Sequence, residues 1–106
     1  MNHEHDVMAF DDLPAGEARQ VVIDRLKICL IRIDDDVYAI GDTCTHQNIS
    51  LSEGEVLTDT KEIECWKHGS AFSVETGEPH ALPATRPEPV FEVKVIEGRV
   101  VVSTDE

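Results

Sequence analysis

Basic residues are scarce in this chain. Nine Lys and Arg stand against 22 Asp and Glu, for a formal net charge of -13. A field of that sign repels phosphate backbones and anionic lipid headgroups, so neither nucleic acid nor a membrane is expected as a partner. It steers the chain instead toward a basic face on another protein. No apolar run approaches the roughly 20 residues that a membrane-crossing helix needs. The segment Met1-Asn2-His3-Glu4-His5-Asp6 also lacks the apolar stretch of a signal peptide, and the expected location is the cytoplasm. Cysteines number only three, an odd count whose spacing does not form a secreted disulfide scaffold. That fits a reducing compartment. Finally, no segment carries a sustained helical period with caps.

What remains is a strand pattern. Val21-Val22-Ile23 reads as a short strand, and Leu26 to Ile33 is almost continuously apolar, as a strand buried on both faces would be. Asp34-Asp35-Asp36 turns the chain and Val37 to Ile40 returns. Glu62 to Cys65 and Ala71 to Val74 are short strand candidates, the second ending at Glu75-Thr76-Gly77. Phe91, Val93 and Val95 alternate with Glu92 and Lys94; Glu97-Gly98 then marks a tight turn into Arg99 to Val102. The fold class is all-β, an antiparallel sandwich or barrel, and the 106 residues make one domain. Segments of about 7–40 and 90–103 form its base. Between them, about 41–89, Gly, Pro, Cys and His interrupt the alternation, and this loop-rich part is where a site is expected.

Two fragments there carry chemistry: Cys44-Thr45-His46 and Cys65-Trp66-Lys67-His68. Each sets a thiolate beside an imidazole after a strand candidate, so two loops can converge on one metal centre. Two Cys and two His can hold a single tetrahedral zinc, as in a structural module that binds another protein. A zinc half-site, however, normally leaves two to four residues between ligands, and Cys44-x-His46 leaves one. A diiron cluster takes the same four donors, two sulfurs on one iron and two nitrogens on the other.

Cys44 through Leu51-Ser52-Glu53-Gly54, then Glu64-Cys65-Trp66-Lys67-His68-Gly69-Ser70-Ala71-Phe72, Thr76-Gly77 and Leu82-Pro83-Ala84 together resemble the Rieske-type ferredoxin family. The resemblance extends over about residues 15–103. It is strongest toward the stand-alone ferredoxins of non-haem iron oxygenases and the similar ferredoxins found beside cluster-assembly proteins. It implies one [2Fe–2S] cluster, with Cys44 and Cys65 on the inner iron and His46 and His68 on the outer one. Pro83 would belong to the loop covering the cluster's other side. Two departures stand out. Trp66 occupies a position where many members carry Pro, and the bridging cysteine pair of respiratory-complex members is absent.

The resemblance implies an electron carrier with no catalytic site of its own. It would take single electrons from a flavin reductase and pass them to a terminal oxygenase or another redox protein. The alternative it leaves is an accessory of iron–sulfur cluster assembly. Around the ligands, Gly69 answers a backbone need, Ser70 offers a hydroxyl to a sulfide, and Trp66 and Lys67 border the exposed edge. Phe72 stands where high-potential members carry a Tyr hydroxyl. With that hydroxyl absent and the net charge negative, the midpoint is expected in the lower half of the Rieske range of roughly −150 to +300 mV. Cys29 reads as core filler. His3 and His5 read as solvated, and His80 has no ligand-like spacing.

Overall fold

The computed structural model describes residues 2–23, 25–43, 50–65, 71–79 and 88–105. In chain order the strands are β1 (Asn2–Ala9), β2 (Ala18–Ile23), β3 (Leu26–Ile33), β4 (Asp36–Gly41), β5 (Glu55–Leu57), β6 (Glu62–Glu64), β7 (Ala71–Ser73), β8 (Val90–Ile96) and β9 (Arg99–Asp105). Two 3-10 turns, Phe10–Asp12 and Leu51–Glu53, are the only helical elements among the described residues. Six strands form one sheet in the order β1-β9-β8-β4-β3-β2, and β5-β6-β7 form a second; every pairing is antiparallel. The all-β expectation holds.

β3 organises the packing. Its successive side chains point to opposite faces, and both faces are covered. Cys29, Ile31 and Ile33 join Ile40, Leu51, Ile63, Cys65, Phe72 and Val74 in one buried cluster. Ile28 and Leu30 join Leu13, Ile23, Ala39, Val100 and Val102 in another. The apolar run Ile28-Cys29-Leu30-Ile31 is fully buried for that reason. One cluster lies against the small sheet; the other fills the hollow that the large sheet curls around.

Turn chemistry sets the hairpins. Between β8 and β9, Glu97 and Gly98 have φ of 51° and 76°, the left-handed pair that a two-residue hairpin of matching twist requires. Asp34, with φ of 54°, starts the turn from β3 to β4, and Asp36 is already in the strand. Arg32 ties this end down. It donates to the carbonyls of Asp34 (2.7 Å) and Leu13 (3.0 Å), and its guanidinium lies 4.1 Å from the Phe10 ring centre.

Three features depart from the sequence reading. The polar segment from Asn2 is a strand and extends the base five positions before residue 7. It pairs with β9 from Asn2↔Asp105 to Ala9↔Arg99 and is bent by an irregularity between Asp6 and Met8. His5 is only partly exposed, and its Nε2 lies 3.1 Å from Thr104 Oγ1. On β8, Phe91 and Val93 pack against the second cluster, while Val95 and Ile96 are exposed where the hairpin runs past the core.

After β4 the chain leaves the large sheet and returns beside its point of departure: the Gly41 amide donates to the Pro89 carbonyl at 2.9 Å. The small sheet and the candidate site lie between these points.

Candidate metal centre

Of the candidate site residues named from the sequence, Cys65 and Phe72 fall in the described structure. Cys44, His46, Trp66, Lys67, His68, Gly69, Ser70 and Pro83 lie outside the described residues, as do His80, Leu82 and Ala84. Cys65 directly follows β6 and is fully buried, in the same cluster as Phe72, Leu51, Ile63 and Val74. β6 carries it there because Ile63 alternates inward between Glu62 and Glu64, and Ile63 pairs with Phe72 across the strands.

The remaining candidates sit on three chain segments whose ends the structure does describe. Residues 44–49 are flanked by an isolated bridge, Thr43↔Ser50. Residues 66–70 join β6 to β7, where Glu64 pairs with Ala71. Residues 80–87 are flanked by Pro79, bridged to Phe72, and by Glu88, whose amide donates to the Gly77 carbonyl at 2.7 Å. Leu51 lies just after the first segment, Cys65 just before the second, and Phe72 is bridged to the residue before the third; the three share one cluster. The three segments therefore spring from one core.

Asp42 is the polar residue that sequence reasoning missed. It is fully buried immediately before Thr43. Its Oδ1 accepts the Ser52 amide at 2.9 Å, and its Oδ2 accepts the side-chain amide of Gln20. Its own amide donates to Lys27 O at 3.0 Å, and its carbonyl accepts the Leu51 amide. The signal was a carboxylate directly after the apolar stretch Val37 to Gly41. A charge at that position has to find donors inside the protein. Glu88, 4% exposed, is a second buried acid; a Cβ on Gly41 would stand 2.6 Å from its Oε1.

Cys29 is buried on β3. Burial pushes its thiol well above the ordinary thiol range, and the fields of Asp42 and Glu88 push in the same direction. Such a thiol stays protonated and packs as an apolar side chain, as the sequence suggested.

The donor chemistry available here fits an iron–sulfur group. Cys65 presents its sulfur from an apolar cluster, where a low dielectric favours a delocalised, low-charge centre over a hydrated ion. Among the described residues there is no group of three or more His, Cys, Asp or Glu side chains that could hold a metal ion.

The chain belongs to the Rieske [2Fe-2S] domain family, which it matches over residues 3–103. It is an electron carrier and holds one Rieske-type [2Fe–2S] cluster; a structural zinc module is set aside by this membership. It is similar to the ferredoxin CarAc of Metapseudomonas resinovorans, 45% identical over 98 residues, which span 92% of this chain and 90% of that one. The fold superimposes on the ferredoxin of carbazole 1,9a-dioxygenase from Nocardioides aromaticivorans IC177 with a TM-score of 0.91, at 32% identity over 93% of this chain and 95% of that one. A structure described as a complex of reduced oxygenase and oxidised ferredoxin in carbazole 1,9a-dioxygenase matches with a TM-score of 0.87, at 43% identity over 93% of this chain and 91% of that one. No helix among the described residues is long and apolar enough to cross a membrane.

Proposed function

We propose that this chain is the ferredoxin component of a dioxygenase system, receiving single electrons from a flavin-dependent reductase and delivering them to a terminal non-haem iron oxygenase. The observation that carries this reading is similarity over most of the chain to proteins named as ferredoxins of dioxygenase systems, joined to a candidate ligand, Cys65, buried at a strand end of the small sheet. Cys44, His46, Cys65 and His68 are the residues that would hold the cluster, on a lobe of about 41–89 set into the β base. Bound there, the group supplies one-electron storage at a raised potential, because two neutral imidazoles replace two thiolates.

The protein's own residues divide the remaining work. Cys65 and Phe72, on the apolar side, exclude water. Trp66 and Lys67, between two ligand positions, are assigned to the edge that meets the partner. The net charge of -13 favours a partner with a basic docking face and sets a fast, salt-sensitive encounter. The setting proposed is the cytoplasm, where a soluble reductase has access.

The test is direct. Purified protein should be red-brown, with two irons and two acid-labile sulfides per chain. It should also couple a flavin reductase to a terminal oxygenase in single-turnover absorbance measurements. A protein with full cluster content that accepts electrons from no flavin reductase and passes none to an oxygenase would remove the proposed role.

A further inference from the structure

Beside the candidate site, one buried residue that is not among the candidate ligands holds chain segments together. Asp42 precedes the 44–49 segment and Ser50 follows it, and the Thr43↔Ser50 bridge closes the neck between them. One Asp42 carboxylate oxygen accepts the Ser52 amide and the other accepts Gln20 Nε2. The same Gln20 nitrogen lies 3.3 Å from Ser50 Oγ. The Asp42 main chain is also engaged on both sides, with its amide on Lys27 O and its carbonyl on the Leu51 amide. Asp42 is fully buried, and both of its carboxylate oxygens accept from N–H donors.

This arrangement joins three elements at one carboxylate: the end of β4, the 3-10 turn Leu51–Glu53, and Gln20 on β2. A neutral, smaller side chain there would leave the Ser52 amide and the Gln20 side chain without their acceptor. The neck of the segment would then be free to shift against the large sheet. A buried carboxylate is costly to maintain, and the Thr43↔Ser50 bridge does not itself require one. What it provides is a fixed position for both ends of the segment that carries Cys44 and His46.

We propose that Asp42, with Gln20 as its partner on β2, is the positioning residue that sets the geometry of the Cys44/His46 segment toward the cluster. This rests on the reading of Cys44 and His46 as ligands. Residues that orient metal ligands from one step behind them typically change metal affinity by about 10- to 100-fold when removed. Asp42 acts at a distance of two positions along the chain from Cys44, through the backbone it anchors.

The experiment compares wild-type protein with Asp42→Ala, Asp42→Asn, Gln20→Ala and Arg32→Gln, all as purified with their clusters. The readouts are the rate of iron release to an excess of a chromogenic chelator and the electron paramagnetic resonance spectrum of the reduced state. Asp42→Ala and Gln20→Ala should release iron about tenfold faster or more, with shifted or broadened g-values. Asn keeps an oxygen for the Ser52 amide, and the Gln20 side chain can turn its own oxygen toward the new amide. Asp42→Asn should therefore restore most of the retention and the wild-type spectrum.

Arg32→Gln removes contacts to Leu13 and Asp34 near the far end of β3. It should leave both readouts unchanged even if the protein melts earlier. Equal acceleration in Arg32→Gln would overturn the proposal, because the effect would then be general instability. Wild-type release and spectrum in Gln20→Ala and Asp42→Ala would also overturn it. Gln20 is exposed, so Gln20→Ala decides the matter if Asp42→Ala fails to fold. His46→Ala serves as the reference for the ligand reading. If that variant kept the native spectrum and metal content, the ligand assignment would fail first and the positioning role with it.

Discussion

Glu88 and Gly77 meet backbone to backbone: the Glu88 amide donates to the Gly77 carbonyl at 2.7 Å, and a Cβ on Gly77 would stand 2.2 Å from the Glu88 carbonyl oxygen. Gly77 also has φ of 75°, in the left-handed region. Gly77→Ala is therefore expected to lower stability by more than the roughly 1–3 kcal/mol that the backbone conformation alone costs. The contact is with backbone, which cannot swing aside. Urea unfolding checks the value. Because this contact lies at one end of the 80–87 segment that includes Pro83, iron release should quicken in the same variant.

Cys29 gives a pH prediction whose sign follows from its burial. Its folded pKa lies well above the ordinary thiol value, so the folded state holds the proton more tightly than the unfolded chain. Its contribution is fully present below the unfolded thiol pKa of about 8.5 and is lost as pH rises above that toward the folded value. Denaturant midpoints at pH 7 and pH 10 should differ less in Cys29→Val than in wild type. The folded protein should also resist alkylation at Cys29 at pH 8. Rapid labelling there would contradict the burial.

Phe72 is fully buried, pairs with Ile63 and lies in the cluster that holds Cys65. Phe72→Ala should cost about 3–5 kcal/mol, as large-to-small changes of a core aromatic do. The expected consequence for the site is lower cluster occupancy at equal expression. Parallel iron analysis and thermal denaturation separate the two effects.

The wild-type midpoint potential is expected in the lower half of the Rieske range, with a value above roughly +150 mV counting against it. Phe72→Tyr should raise it if the new hydroxyl reaches a cluster sulfur. Protein-film voltammetry measures both proteins under one buffer.

Electron delivery to a basic partner should slow as salt rises. With a net charge of -13, the second-order rate constant should fall by about tenfold or more between low and moderately high ionic strength. Stopped-flow mixing of reduced ferredoxin with oxidised oxygenase gives the slope. A flat dependence would show that the acidic surface plays no part in docking.

Much of this architecture was legible in residue order, and the exceptions share a cause. The continuous apolar run around Cys29 announced a strand covered on both faces, and Glu97-Gly98 announced its hairpin, because both signals are local. β1 was not legible. His3-Glu4-His5-Asp6 has no strand-like alternation, and its extension comes from pairing with residues near position 100, far along the chain. The candidate ligands were legible as a motif, through the tight Cys-x-His spacing. Asp42 was not, because nothing in Gly41-Asp42-Thr43 tells that Gln20 and Ser52 supply its donors. β5 was hidden as well: Glu55-Val56-Leu57 is too short to show a period and is fixed by its register with β6.

The strand that carries Cys29 and Leu30 acts as a party wall. Neighbouring positions on it belong to different interiors, one shared with the small sheet and the other enclosed by the large one. A redesign of the small-sheet side for a new partner can therefore repack its own side of the wall while the opposite room keeps its furniture. Paired substitutions across the peptide bond between 29 and 30 should then combine additively in stability, despite being adjacent in the chain.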